Sequence, residues 1–369
     1  MKIAVIYDRF VRGGGLENYL SDFVGHLIFR GHEITVVTTR TDAETQAIGA
    51  EIVRLRPGGL TPAGRIADFD HQARIAVEKI GAEVSIGFGR TTSHDLHRAG
   101  GGCHKVYNEL LSPIKRLSSK NRRELQLERE LYTSGRTKHF VVNSTMVANQ
   151  LRNIYNLESS RVSVIHTAVD TERFCPDLYE GRTLKRDICA ELRIDPEVPV
   201  YLFVSLGHRR KGLDAIMEAW PEIDGHVWIV GNPLDKTYLK ALRKMGLERK
   251  VFHLGRKPDP TPYYRAADFF LHPTLYDACA NTVLQSMACG VPGLISKHDG
   301  ACQFVDDSTG FILENPWDPQ CIIDTVIRAN AVSAEDRLKM AQAATRAVSH
   351  LSWDYHLGSW MTVIDQKLG

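Results

Sequence analysis

Residues 271–300, LHPTLYDACANTVLQSMACGVPGLISKHDG, decide the fold. The apolar run that ends here reads as a strand. A tight polar turn follows, then a helix opening near Asn281 and Thr282, then Gly-Val-Pro and a second apolar strand. Asn and Thr suit the first turn of a helix. A carboxylate, small residues and a helix N-terminus gathered at a strand's carboxyl end make a place for an anionic ligand, because the first turn directs N–H groups outward.

Working outward, short β-rich runs alternate with helical patterns along the whole chain. They are KIAVIY (2–7), EITVVTT (33–39), EIVRL (51–55), EVSIGF (83–88), HFVVNS (139–144) and RVSVIH (161–166). After a break come VPVYLFVS (198–205), HVWIVG (226–231), KVFHLG (250–255), DFFLHP (268–273) and VPGLIS (291–296). Most are continuously apolar, as parallel strands buried on both faces require. Strands separated by helices give βαβ units and a doubly wound α/β sheet. There are too many strands for one sheet. The charged stretch 167–198, with Pro176 and Pro196 and with Pro199 just after it, reads as a connector with its own short helix. Two doubly wound domains result, 1–170 and 171–351. The tail from 352 to 369 reads as one more amphipathic helix.

A length of 369 residues suits two domains, and a hydrophobic content of 43% with 24% charged residues is that of a globular protein. The net charge of +2 gives no global attraction to nucleic acid. No apolar run reaches the ~18 residues of a spanning helix. The N-terminus meets Asp8 and Arg9 too soon to be a signal peptide. Seven cysteines without a CxxC pair argue against a disulfide framework and structural zinc, and point to a reducing cytoplasm.

Four constellations carry chemistry. Gly13, Gly14 and Gly15 follow the first strand and open a helix, where bare backbone lets N–H groups approach a phosphate. The plain alternative is a flexible β–α turn, since neither GxGxxG nor a P-loop is present. The second, Gly207–Gly212, places Arg210 and Lys211 at another strand's carboxyl end. A bidentate guanidinium and a point charge there can neutralise a diphosphate. An ordinary charged loop is the competing reading. The third is the opening stretch, with Asp277 on the turn and Gln285 one helical turn past Asn281, able to hydrogen-bond a ribose diol. The fourth, residues 87–104, is dense in His, Asp, Arg and Gly. Asp95, His97 and His104 there could hold sugar hydroxyls or move a proton, although any one histidine is more often part of a polar network. A zinc site from His94, His97, Cys103 and His104 matches no common spacing. No hydrolase elbow, HExxH or deaminase signature occurs. The basic segment 112–138 is either a solvated helix face with i,i+4 pairs or a patch for an anionic lipid surface.

With these pieces in order, the chain resembles the retaining glycosyltransferases of family 4. The resemblance rests on GGGLENYL (13–20), VIHTAVDTERFCPD (164–177), RRKGLDAIMEA (209–219), HLGRKPD (253–259) and 271–296. Within that family it is most similar to the lipopolysaccharide-core glucosyltransferase I group. The resemblance implies the GT-B fold: two Rossmann-like domains facing a central cleft, the N-terminal one on the acceptor side, with the C-terminal helix 352–369 crossing back to it. It implies transfer of a hexose from a nucleotide-diphosphate sugar, a UDP-sugar foremost, to a glycan or lipid-linked acceptor, without a metal ion. The expected location is cytoplasmic, peripheral at the inner face of a membrane approached through 112–138. By position, Gly13, Gly14 and Gly15 would approach the diphosphate or sugar, Arg210 and Lys211 the diphosphate, and Arg256 the base. Ala280, Asn281 and Thr282 would hold phosphate, and Asp95 would sit by the transferred sugar, with His97 and His104 on the acceptor side. Asp277 and Gln285 match the two acids of the family's Glu-x7-Glu motif, for the sugar and the ribose. The first is shortened by one methylene and the second has lost its charge. A nucleotide-sugar-binding protein without transfer, or a GT-B epimerase or hydrolase, is the competing class.

Overall fold

The apolar runs form parallel strands in the computed structural model, which describes residues 1–368. In chain order these are β1 (Lys2–Ile6), β2 (Arg9–Phe10), β3 (Glu33–Thr38), β4 (Arg40–Thr41), β5 (Glu51–Arg54), β6 (Val84–Gly87), β7 (Leu96–Arg98), β8 (His139–Val142) and β9 (Val162–Val164). The rest are β10 (Val200–Ser205), β11 (His226–Gly231), β12 (Val251–Gly255), β13 (Phe269–His272), β14 (Gly293–Ser296) and β15 (Gly310–Leu313). Contacts divide the chain into two units, residues 1–167 with the segment from Trp353 onward, and residues 168–352.

The first unit holds a seven-stranded sheet in the order β5-β3-β1-β6-β7-β8-β9. Its core combines Ile3, Val5, Phe23, Val36 and Ile86 with Leu357, Trp360, Val363 and Ile364 of the terminal helix Trp353–Leu368. Trp360 is fully buried, 5.2 Å from the Phe23 ring. The second unit holds a six-stranded sheet in the order β12-β11-β10-β13-β14-β15. Alternate residues of each strand feed opposite faces. Val200, Leu202, Trp228 and Phe270 enter one core, and Tyr201, Phe203, Val227 and Phe269 the other. This double burial explains why the strands read as unbroken apolar runs. Both units are Rossmann-like mixed α/β folds.

Local signals fix the helix starts. Thr61 accepts from Gly64 N with Pro62 in the first turn, Ser144 accepts from Val147 N, and Asp177 accepts from Tyr179 N and Glu180 N. The structure departs from the sequence reading in the connector helix and in several short strands. The connector helix Leu178–Leu192 runs for 15 residues, packs Ile188 and Cys189 into the second unit's core and ties Glu180 to Arg265. Strands β7 and β15 escaped the pattern. β7 is the polar-looking triplet Leu-His-Arg, and β15 is four residues behind a Thr-Gly turn.

Because the strands of each main sheet are parallel, their carboxyl ends share one edge. Order reverses between β1 and β6 in the first sheet and between β10 and β13 in the second. Such switch points open a crevice for ligands between the two diverging loops.

Candidate active site

In the second unit the loop after β10 and the turn after β13 meet at the switch point. Gly212 makes this possible: its φ is +88°, and a Cβ there would come 2.0 Å from the Pro273 carbonyl oxygen. The Arg210 carbonyl then accepts from Leu275 N at 2.9 Å and from Thr274 Oγ1 at 3.2 Å. The backbone thus delivers both cations to the turn. Lys211 Nζ lies 2.6 Å and Arg210 Nη1 2.9 Å from Asp277 Oδ2. Burial works to raise the Asp277 carboxyl, but the Lys211 ammonium and then the Arg210 guanidinium outweigh it and hold it well below the usual carboxylate range. Arg210, Lys211 and Asp277, chosen from sequence, are therefore brought together.

Two residues the sequence reading missed complete the cluster. His272 ends β13 and Asp299 follows β14, and both are fully buried. His272 Nε2 is 3.3 Å from Lys211 Nζ and 3.0 Å from Asp299 Oδ2. Burial, then the Lys211 charge, lower the His272 pKa, so its imidazole stays neutral at neutral pH. Asp299 Oδ1 accepts from Ala280 N at 3.0 Å and Ala301 N at 2.8 Å. Asp277 and Asp299 also bridge through their backbones. The available signal was a carboxylate just past the carboxyl end of the next strand. Its pairing with Asp277, 22 residues upstream, is a property of the sheet.

The helix Asn281–Ala288 opens over this cluster with Ala280 as its cap. Here one expectation is corrected. The Ala280 N–H is already donated to Asp299, so it does not point at a phosphate. Asn281 and Thr282 do form the first turn, and Thr282 Oγ1 is buried without a hydrogen-bond partner. Gln285 Oε1 accepts from the Tyr264 hydroxyl at 3.3 Å, which fixes the amide's orientation. Arg256 is exposed directly after β12, two strands from β10 on the same edge.

His272, Asp277 and Asp299 offer ligand atoms within 4.8 Å of one another, a spacing compatible with a metal ion. The Lys211 ammonium contacts two of the three. A divalent cation would have to enter against that charge.

The first unit's switch point is built differently. Gly13 has φ +150°, in the glycine-favoured region, and its N–H is donated to Asn18 Oδ1 at 3.0 Å. Gly14 caps the helix Gly15–Phe29. The Glu17 carboxylate, paired with Arg9 at 2.7 Å, lies so close to Gly14 that a Cβ would meet it at 2.2 Å. A carboxylate over a helix N-terminus satisfies the dipole and repels a second anion, so this loop suits a sugar better than a diphosphate.

Residues 87–104 are corrected in two places. Asp95 precedes β7, and its Oδ2 accepts from Ser85 N at 3.0 Å and Ser85 Oγ at 2.7 Å while Oδ1 pairs with Lys138 at 3.1 Å. All three residues stand where β6, β7 and β8 begin, the edge opposite Gly13–Gly15. Asp95 therefore staples strand starts and is not beside a sugar at the carboxyl edge. His97 lies within β7, 4% exposed, its ring stacked 5.2 Å from His94. Burial, then His94 and Arg98, hold its pKa well below the ordinary value, and it faces the core. His104 does lie at the carboxyl edge, opening the helix His104–Asn108. It contacts Asn121 Oδ1 at 2.9 Å, Arg90 at 3.3 Å and Glu124 at 3.5 Å. The zinc grouping is not assembled: His97 sits within β7 with the His94 ring stacked on it from the preceding loop, and Cys103 turns to Glu128.

Segment 112–138 forms the helices Pro113–Arg116 and Ser119–Thr133. Arg116, Lys120 and Arg136 pair with Glu109, Glu124 and Glu130. Ile114 and Leu117 stand 86% and 68% exposed beside Lys115 and Arg116. No helix among the described residues is long and apolar enough to cross a membrane.

Comparison with known proteins places this geometry. Residues 13–173 match the model of Glycosyltransferase Family 4, and residues 198–330 that of Glycosyl transferases group 1. A probable transglycosylase of Burkholderia thailandensis is 28% identical over 95% of this chain and 93% of its own length. The lipopolysaccharide glucosyltransferase WaaG of Escherichia coli K12 is 22% identical over 93% of this chain and 92% of its own. A crystal structure of WaaG, a glycosyltransferase involved in lipopolysaccharide biosynthesis, superposes with a TM-score of 0.83 at 20% identity, covering 98% of this chain and 99% of that one. Anabaena HepE in complex with UDP and glucose superposes at 0.76 with 15% identity, over 99% of this chain and 100% of that one.

Proposed function

We propose, from the premise that this chain is a glycosyltransferase with the family 4 and group 1 domains, that it moves a hexose from UDP-glucose or a close nucleotide-diphosphate sugar to a glycan or glycolipid, such as lipopolysaccharide core, with retention of configuration. The observation that carries this reading is the Arg210–Lys211–Asp277 cluster under the helix N-terminus at 281. The WaaG likeness and the UDP and glucose bound to HepE supply the substrate class.

Asp277 neutralises two cations. A diphosphate brings its own negative charge to Arg210 and Lys211 and releases carboxylate oxygens for the sugar hydroxyls. As the glycosidic bond breaks, negative charge grows on the departing diphosphate. Lys211, Arg210 and the first turn at Asn281–Thr282 stabilise that charge from fixed positions. No metal takes part in this proposal, because the protein's own cations meet the leaving group. Gln285 holds the ribose and Arg256 meets the base; in the first unit, Gly13–Gly15 with Glu17 form a loop suited to sugar hydroxyls. His104, with Arg90 and Glu124, addresses the acceptor. The exposed Ile114 and Leu117 among basic residues rest on an anionic membrane at its cytoplasmic face.

The test is a panel of UDP-, GDP- and ADP-sugars, following nucleotide diphosphate release with and without a lipopolysaccharide-core acceptor, in EDTA. Acceptor-dependent release, greatest with UDP-glucose and unaffected by EDTA, is the expected result. Donor binding without turnover on any acceptor would sink the transferase reading. Flotation with phosphatidylglycerol vesicles should weaken as salt rises, and absence of binding at low salt removes the membrane role.

A further inference from the structure

The second sheet's carboxyl edge works as a ruler. In spatial order it presents Arg256 after β12, Arg210 and Lys211 after β10, Asp277 after β13, His298 after β14 and Trp317 after β15. Neighbouring strands lie about 4.8 Å apart. A base, a diphosphate and a hexose laid along this edge occupy the strands as far as β13. The loop after β15 lies further out than β13 and β14, and neither it nor the His298 side chain has a role in the reaction described above.

The loops after β14 and β15 carry an aromatic platform. Trp317 is 51% exposed, whereas Trp220, Trp228 and Trp360 are fully buried. Its ring lies 5.0 Å from the His298 imidazole with 30° between the planes. The platform is tied to the reacting region, because the His298 carbonyl accepts from Asp277 N at 3.1 Å. It is also held in place. Lys297 pairs with Glu314 at 3.1 Å across the two loops, Ser296 Oγ accepts from His298 N at 3.0 Å, and the Asn315 carbonyl accepts from Asp318 N at 3.1 Å. A large aromatic face kept exposed on a fixed turn beside a sugar-handling carboxylate matches the flat C–H face of a pyranose. The ring meets those C–H groups while the sugar's hydroxyls stay in water.

We infer that Trp317, backed by His298, is a saccharide-ring subsite next to Asp277, taking either the transferred hexose or the first pyranose of the acceptor. This rests on the proposed transferase reading, and its test separates the two. Wild-type protein is titrated with UDP by calorimetry, and with methyl α- and β-glucopyranoside and maltose by tryptophan fluorescence. The expected result is a saturable change in emission with at least one glycoside, absent in Trp317→Phe. UDP binding without any such change overturns the subsite and leaves the transferase reading standing. No binding of UDP, or of GDP and ADP titrated in the same way, removes the transferase reading itself. The source is read from kinetics with Trp317→Ala: a rise of about fivefold to tenfold in the acceptor KM assigns the ring to the acceptor, and the same rise in the donor KM assigns it to the transferred hexose. If neither KM moves while the melting temperature stays at the wild-type value, the inference is wrong.

Discussion

The carboxyl edges of the two sheets have the same topology and opposite electrostatics. In the second unit, the edge at the switch point gathers Arg210 and Lys211 on one carboxylate, backed by a neutral histidine and a buried aspartate. In the first, the corresponding loop folds the Glu17 carboxylate against Gly14 and spends the Gly13 N–H on Asn18. The same β–loop–α geometry therefore serves two ligand chemistries. An edge with two cations beside a helix N-terminus is suited to a diphosphate. One whose helix N-terminus already has its own acid is suited to neutral hydroxyls.

The strongest way to break that comparison is Lys211→Ala. It removes the cation that joins Asp277 to His272, and turnover should fall about 10²–10³-fold. It is measured as acceptor-dependent nucleotide diphosphate release, and near-normal turnover would mean that the phosphate site lies elsewhere. Asp299→Asn comes next. It keeps the shape but removes the charge facing His272 and weakens the bonds to Ala280 N and Ala301 N, so stability should drop by about 2 kcal/mol. Denaturant unfolding checks this, and an unchanged midpoint would show that the buried charge is not structural.

Acid should also destabilise the first unit through three buried histidines. Burial pushes His94 down to about 4, burial with Lys367 pushes His139 down to about 4, and burial with Arg98 pushes His356 down to about 3. All three lie in the first unit. Their folded pKa values are below the ordinary 6.5, so the unfolded chain takes up protons first. Stability from these groups is full above pH 6.5 and is lost as pH falls toward 4 and then 3. Thermal melts at pH 7 and pH 4.5 should differ, and a flat midpoint would contradict the burial of these rings as neutral groups. The smallest effect is expected at Asp95. With its carboxylate at the amino edge, Asp95→Asn should leave turnover within about twofold, and a large kinetic loss would restore it to the reaction.

The second unit's site was more legible than the first's, and the reason is chain separation. Arg210, Lys211 and Asp277 each follow a recognisable apolar strand, so a parallel sheet brings them to one edge. Asp299 was illegible because its partners, His272 and Ala280, are set by the register of β13 against β14. In residues 87–104 the three-residue β7 was hidden, and without it a strand histidine and an amino-edge aspartate looked like loop residues. The group around His104 draws on Arg90, Asn121 and Glu124, which no local pattern joins.

By itself the sequence determined the parallel α/β class, most strand positions and the cation pair, because apolar continuity and residues at strand ends are local properties. Only the tertiary structure decided that Ala280 serves Asp299, that Asp95 lies on the wrong edge for chemistry, and that Trp317 packs on His298, whose carbonyl accepts from Asp277 N. Those facts depend on strand order and register, which emerge when distant segments pack and cannot be read from spacing along the chain.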